Sequence, residues 1–173
     1  DASLPLNIVT SRWDVADGHT LEGYKNSGSY RGYAGLEIAL SKSPQQVGDE
    51  VRAATVLGRG GAGFPAGTKW GFCPPGVFPR YLVVNGDESE PGTFKDRLLM
   101  DFDPHLMLEG IAIACYACRI KTAYIFIRGE YHHQAHVLEN ALKEAYANGV
   151  FGPKGLLGGD TARGGPWAVD CYV

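Results

Sequence analysis

The pattern of apolar and polar positions divides the chain into a quiet start and a regular middle. Residues 1–40 are rich in Gly, Ser and Tyr and hold no sustained period, so they read as an irregular arm packing over the rest. The first regular element opens at Ser43-Pro44-Gln45-Gln46. Ser43 can cap, Pro44 suits the first helical position, and Gln46 can reach back to close a capping box. Val47, Val51, Ala54 and Leu57 supply an apolar face, and Gly58 is a natural stop. Arg80 to Asn85 is a short continuous apolar run ending in polar residues, the pattern of a buried strand. A helix is expected from Asp103-Pro104 to about Arg119, a strand over Ala123–Ile127, and a helix from about His132 to Asn148, stopped by Gly149. Glu139 and Lys143 are spaced to pair on that last helix. Trp167 to Val173 alternates as a third strand. Strand, helix, strand, helix, strand predicts an α/β domain over residues 41–173: a Rossmann-like parallel sheet with flanking helices, preceded by the arm. In such folds ligands collect at the carboxyl ends of the strands.

Composition changes this picture little. The chain has 173 residues, 45% hydrophobic and 20% charged, enough for one domain with a core of its own. A net charge of −3 gives no reason to expect a nucleic-acid partner. The most apolar run, Leu106 to Ile120, contains Glu109 and is too short to span a bilayer, so no direct membrane insertion is expected. Four cysteines, irregularly spaced, suit a reducing compartment better than a disulfide framework. The 24 glycines are the outlier, and their clustering marks special loops.

The densest cluster runs from Gly58 to Gly67: Gly58, Arg59, Gly60, Gly61, Ala62, Gly63, Phe64, Pro65, Ala66, Gly67. It contains G-x-G-x-x-G, which can crowd backbone N–H groups round a phosphate and accept positive φ without steric cost. The dinucleotide version follows a strand, whereas this one follows a helix, and no Gly-Lys-Ser/Thr triplet makes it a P-loop. A plain inter-element loop is the competing reading. Arg59 and Lys69 offer cations, and Phe64, Trp70 and Phe72 offer flat faces for a purine or flavin ring, which favours a nucleotide. A second candidate is the acidic turn after the first strand, Asn85-Gly86-Asp87-Glu88-Ser89-Glu90. It can serve as a hydrogen-bonding wall for hydroxyls and ring edges, as a hard-cation site, or as a solvated turn, and its place at a strand's end favours the first. Cys115 and Cys118 form C-x-x-C inside an apolar helix and read as packing. His132 and His136 lack the Glu of a metalloprotease helix and read as solvated.

GRGGAGFPAGTKW at 58–70, YLVVNGDESEPGTFKDR at 81–97 and AYIFIRGE at 123–130 together closely resemble one family. It is the flavin-bearing 51-kDa, NADH-oxidising subunit of respiratory complex I and its bacterial counterpart, with the related diaphorase subunits of NAD-reducing hydrogenases and NAD-dependent formate dehydrogenases. The resemblance covers about residues 10–150. It implies that NADH and FMN share one cavity, that hydride passes directly between them, and that electrons leave through iron–sulfur clusters toward quinone. By motif position, Gly58, Arg59, Gly60 and Lys69 would line the FMN site, with Ala62, Gly63 and Gly67 in the same loop. Asn85, Asp87 and Glu88 would hold the flavin or its ribityl chain. Gly61, Phe64, Phe72 and Glu90 would face NADH. Direct hydride transfer requires no general acid or base, so no catalytic side chain and no metal ligand is nominated.

The implied partners are NADH and iron–sulfur subunits of the 24-kDa and 75-kDa kinds. The implied location is peripheral, on the cytoplasmic or mitochondrial-matrix side of a membrane. The family's second flavin segment, ubiquitin-like domain and helical domain with the 4Fe–4S ligands have no counterpart here, and the stretch Lys154–Pro166 is longer than usual. The chain is therefore expected to be a fragment holding half of the cavity, the alternative being a non-catalytic nucleotide-binding or assembly module that keeps the fold without the flavin.

Overall fold

The structure, a computed structural model, describes residues 9–27, 32–153 and 169–173. Its elements are α1 (Leu21–Asn26), α2 (Ala34–Leu40), α3 (Pro44–Ala53), α4 (Ala66–Trp70), β1 (Tyr81–Gly86), α5 (Lys95–Phe102), α6 (Pro104–Cys118), β2 (Thr122–Ile127), α7 (His132–Ala147) and β3 (Asp170–Tyr172). The strands form one parallel sheet in the order β1-β2-β3, with Tyr81 opposite Thr122 and Thr122 opposite Asp170. This is the parallel α/β arrangement expected. The third strand is shorter than its alternation suggested, and residues 154–168, which hold the Gly-rich stretch Lys154–Pro166, lie outside the described residues.

Local chemistry accounts for the main elements. Ser43 Oγ accepts from Gln46 N at 3.3 Å while Gln46 Oε1 accepts from Ser43 N at 2.9 Å, so the capping box forms and Pro44 opens α3. That helix ends at Ala53, earlier than its apolar face predicted. Thr55 turns left-handed (φ 51°), and the chain leaves to make an antiparallel bridge between Leu57 and Pro65. Asp103 caps α6 through Leu106 N at 3.3 Å. Arg119, left-handed at φ 56°, stops the helix as Ile120 N donates to Cys115 O at 2.8 Å.

The sheet's two faces differ. Ala123, Ile125 and Cys171 are buried on one, in a core shared with Leu108, Ile111, Ala112 and Cys115 of α6 and Leu138, Ala141 and Ala145 of α7. On the other face Tyr81, Val83, Tyr124, Phe126 and Tyr172 are exposed, and Tyr81, Tyr124 and Tyr172 stack across the three strands at 6.5 and 5.6 Å. The continuous apolar run of β1 is thus half-buried on one side, at Leu82 and Val84, and exposed on the other.

The expected irregular arm needs correction. It carries α1 and α2, and Tyr24 and Leu36 are wholly buried. These helices are too short for a period to register. They are held by polar partners far along the chain: Tyr24 Oη donates to Glu109, and Leu36 N donates to Glu109 Oε1 at 2.8 Å. Tyr33 N donates to Glu109 Oε2 at 3.2 Å, and Leu21 N donates to Glu144 Oε2 at 2.8 Å. His105 bridges Tyr33 Oη (2.9 Å to Nδ1) and Glu144 (3.0 Å from Nε2), which a neutral ring with its proton on Nε2 satisfies. Arg12 Nε donates to Asp103 Oδ2 at 2.8 Å, with its guanidinium over the Tyr24 ring. Burial pushes the Tyr24 and Tyr33 hydroxyls well above the usual phenol range, with Glu109 adding to the shift, so both remain donors or neutral partners.

Candidate functional site

The glycine-rich loop is a protruding turn closed at its base. Gly58 N donates to Phe64 O and Ala66 N to Val56 O, both at 2.8 Å, which fixes the loop against the start of α4. Its tip is exposed. Gly61 (φ 107°) and Gly63 (φ 62°) take conformations that disfavour a side chain, and nothing stands within 4 Å of where a Cβ would sit on Gly60, Gly61 or Gly63. The backbone there faces open space that a ligand can approach. Gly67 has a different reason to be glycine. A Cβ on it would lie 2.4 Å from Arg52 Cα, so its hydrogen allows α4 to cross α3 closely.

Around the loop, Arg59 and Lys69 are exposed. Phe64 and Phe72 are 46% and 68% exposed, with ring centroids 5.9 Å apart and planes tilted by 46°. Two large rings facing solvent side by side form an apolar surface with no internal reason to be there. The structure therefore brings together the two phenylalanines nominated from the sequence, within one loop-and-helix unit with Gly58, Arg59 and Lys69.

The acidic turn leaves the carboxyl end of β1. Asn85 Oδ1 accepts from Asp87 N at 3.0 Å, and Ser89 Oγ donates to Asp87 Oδ2, so the turn is shaped by its own side chains. Glu88 sits at φ 43°. Its Oε1 accepts from Asp96 N at 2.6 Å and its Oε2 from Arg97 N at 3.1 Å. It thus caps α5 from a distance, and Tyr131 Oη adds a third hydrogen bond at 3.3 Å. Partial desolvation raises this carboxyl, but the two backbone N–H groups, Tyr131 and Lys95 together hold it below its ordinary value. Asp87 is half-buried and Glu90 is exposed. Among the described residues no cluster of three His, Cys, Asp or Glu side chains is placed to hold a metal.

Two residues that the sequence reading did not nominate join this turn. Arg128, at the carboxyl end of β2, donates to Glu88 O at 3.5 Å and to Glu130 Oε1 at 3.1 Å, and Tyr131 follows it. Their position at a strand's end was the available signal. One cavity of about 270 Å³ includes Val84, Asn85, Gly86 and Met107, and it takes no residue from the glycine loop.

A three-stranded parallel sheet with flanking helices and a polar turn at the carboxyl end of its first strand places the chain in the class of parallel α/β domains. Residues 51–164 match the family of the Nuo51 FMN-binding domain, and the chain belongs to that family. It is 46% identical over 157 residues to the F subunit of the NADH-quinone oxidoreductase of Aquifex aeolicus (strain VF5), a match covering 91% of this chain and 36% of that protein. It is 45% identical over 137 residues to the mitochondrial NADH dehydrogenase [ubiquinone] flavoprotein 1 of Dictyostelium discoideum, covering 78% of this chain and 27% of the other. Among solved structures, an NAD+-reducing [NiFe]-hydrogenase in the H2-reduced state superposes with a TM-score of 0.65 at 31% identity, covering 89% of this chain and 25% of the other. The chain thus spans about a third of the length of the Aquifex relative.

The residues present fit the phosphate end of FMN. The unobstructed backbone at Gly60, Gly61 and Gly63 leaves room for a phosphate, and Arg59 and Lys69 supply charge. No described helix is long and apolar enough to cross a membrane.

Proposed function

We propose that this chain is the part of an NADH-oxidising flavoprotein that forms one side of a shared FMN and NADH cavity. The observation that carries the proposal is the glycine loop, whose tip leaves open space at three glycines beside two exposed phenylalanines. Bound FMN supplies the hydride acceptor for NADH. Gly58, Arg59, Gly60 and Lys69 line the FMN side, with Ala62 and Gly63 shaping the tip. Gly61, Phe64, Phe72 and Glu90 face NADH, the rings stacking on the adenine. Asn85 and Asp87 meet the flavin's polar edge or ribityl chain. Glu88 belongs with them as a positioning residue, because its carboxylate is committed to α5 and Tyr131. Gly67 sets the angle at which α4 presents Lys69.

In the whole protein, electrons then pass to iron–sulfur subunits of the 24-kDa and 75-kDa kinds and on to quinone, in a complex I-like assembly peripheral to the membrane. The names of the relatives support this reading. A diaphorase role beside a hydrogenase or a formate dehydrogenase is the second reading, favoured by the structural likeness to the NAD+-reducing hydrogenase. The test is to add FMN to the purified chain, then titrate NADH without oxygen. A bound flavin absorbance that bleaches on adding NADH is expected. A folded chain that retains neither FMN nor NADH would remove the proposal for these residues.

A further inference from the structure

At the amino end of the sheet, opposite the acidic turn, lies a cavity of about 440 Å³ lined in part by Arg52, Trp70, Cys73, Arg80 and Cys118. Cys118 is the last residue of α6 and is 7% exposed, whereas Cys73, just after α4, is half-buried. The two residues are neighbours on the wall of this one cavity. One side chain holds the backbone on both sides of this pair. Arg80 Nη1 donates to Cys118 O at 2.7 Å, Nη2 donates to Pro74 O, and Nε donates to Val77 O at 3.1 Å. The backbone that carries both cysteines is therefore tied together by Arg80, and both residues line a cavity large enough for a small reagent.

We propose that Cys73 and Cys118 are a redox-modification site, a dithiol that a small disulfide such as oxidised glutathione converts into an intramolecular disulfide. The Cys73 thiolate attacks one sulfur of the reagent, forming a mixed disulfide and releasing one glutathione thiol. Cys118 Sγ then attacks the Cys73 sulfur, and its proton leaves with the second glutathione thiol. Two protein thiols are oxidised to one disulfide while one glutathione disulfide is reduced to two thiols. The order follows from exposure. Cys118 is buried, and that burial, reinforced by Cys73, pushes its thiol up to about 12 against the pull of Arg80. A thiol so disfavoured as thiolate does not react first. Cys115 and Cys171 are 0% and 3% exposed, line no part of this cavity, and are held neutral by burial, so they serve as internal controls. The cross-link would pin the chain just beyond α4 to the end of α6, beside Phe72.

The test treats the full chain with oxidised glutathione, blocks remaining thiols by alkylation, and maps the peptides by mass. The expected product is a Cys73–Cys118 cross-link with Cys115 and Cys171 alkylated. Cys118→Ala should instead trap glutathione on Cys73, and Cys73→Ala should leave Cys118 unmodified. Stable separate adducts on the native chain, a cross-link through Cys115 or Cys171, or no oxidation at all would each overturn the proposal. A measurement needing no variant uses phenylarsine oxide, which bridges paired thiols. One equivalent bound, with loss of the cross-link, is expected, and failure to bind would count equally against it.

Discussion

Two polar regions of this chain obey opposite rules. Beneath α1 and α2, Arg12, Asp103, His105 and Glu109 are all at most 3% exposed, and their polar groups meet partners inside the protein. At the tip of the glycine loop, Gly60 and Gly61 are exposed, and an added side-chain carbon would meet nothing. The first region is finished by the fold. The second is left open by it. Buried polar groups must be satisfied internally at a cost of about 1–3 kcal/mol each if they are not, whereas an open loop of glycines carries no such demand. Residue identity in the cluster is therefore dictated by folding, and residue identity at the loop tip by what approaches from outside.

The contrast can be broken most forcefully at the buried ion pair. Asp103→Ala removes the carboxylate facing Arg12 and should cost about 3–5 kcal/mol in urea unfolding. A loss under ~1 kcal/mol would show that the cluster is not a folding element. Next in size, Phe64→Ala should weaken NADH binding by about 1–3 kcal/mol while moving stability by less than ~0.5 kcal/mol, because the ring is already exposed. Calorimetric titration and thermal melting of the same sample separate the two effects. An equal loss of stability would make Phe64 part of the core rather than of the site.

The two kinds of glycine sharpen the comparison within one motif. Gly67→Ala forces a carbon against Arg52 and should destabilise by about 1–3 kcal/mol. Gly60→Ala should stay within ~0.5 kcal/mol of the native chain yet weaken FMN binding, which equilibrium dialysis would measure. Equal melting points for the two variants would erase the distinction. The smallest effect concerns pH. Burial holds the His105 pKa below its ordinary 6.5, against the pull of Glu144. The unfolded chain then takes up this proton at higher pH than the folded one, so stability should fall as pH drops below about 6.5. In His105→Gln that part of the slope should disappear from urea midpoints measured between pH 7 and 5.

The same contrast explains what could be read from the chain. β1, β2, α6 and α7 were legible because each has its own apolar run or period and, for α6, its own stop at Arg119. The capping box at Ser43 is likewise written within four residues. α1 and α2 were not legible, since their burial depends on Glu109 and Glu144, which no local window contains. α5 was hidden in the same way: its N-terminal N–H groups are satisfied by Glu88, seven residues before it begins. At the candidate site, the glycine motif and Phe64 with Phe72 stood out. The division of labour between Gly60 and Gly67 did not, because it is set by where α3 crosses α4.

The bond from Leu21 N to Glu144 joins residues 123 positions apart, and that from Tyr24 to Glu109 spans 85. A growing chain supplies α1 first and its partners much later. At about 5–20 residues per second, the segment must wait on the order of ten seconds for Glu144 to be made. Until then α1 is a six-residue helix with too few turns to hold itself. During synthesis this region therefore emerges well before the partners that close it, and its tyrosines, buried in the folded chain, are what a nascent-chain chaperone would meet.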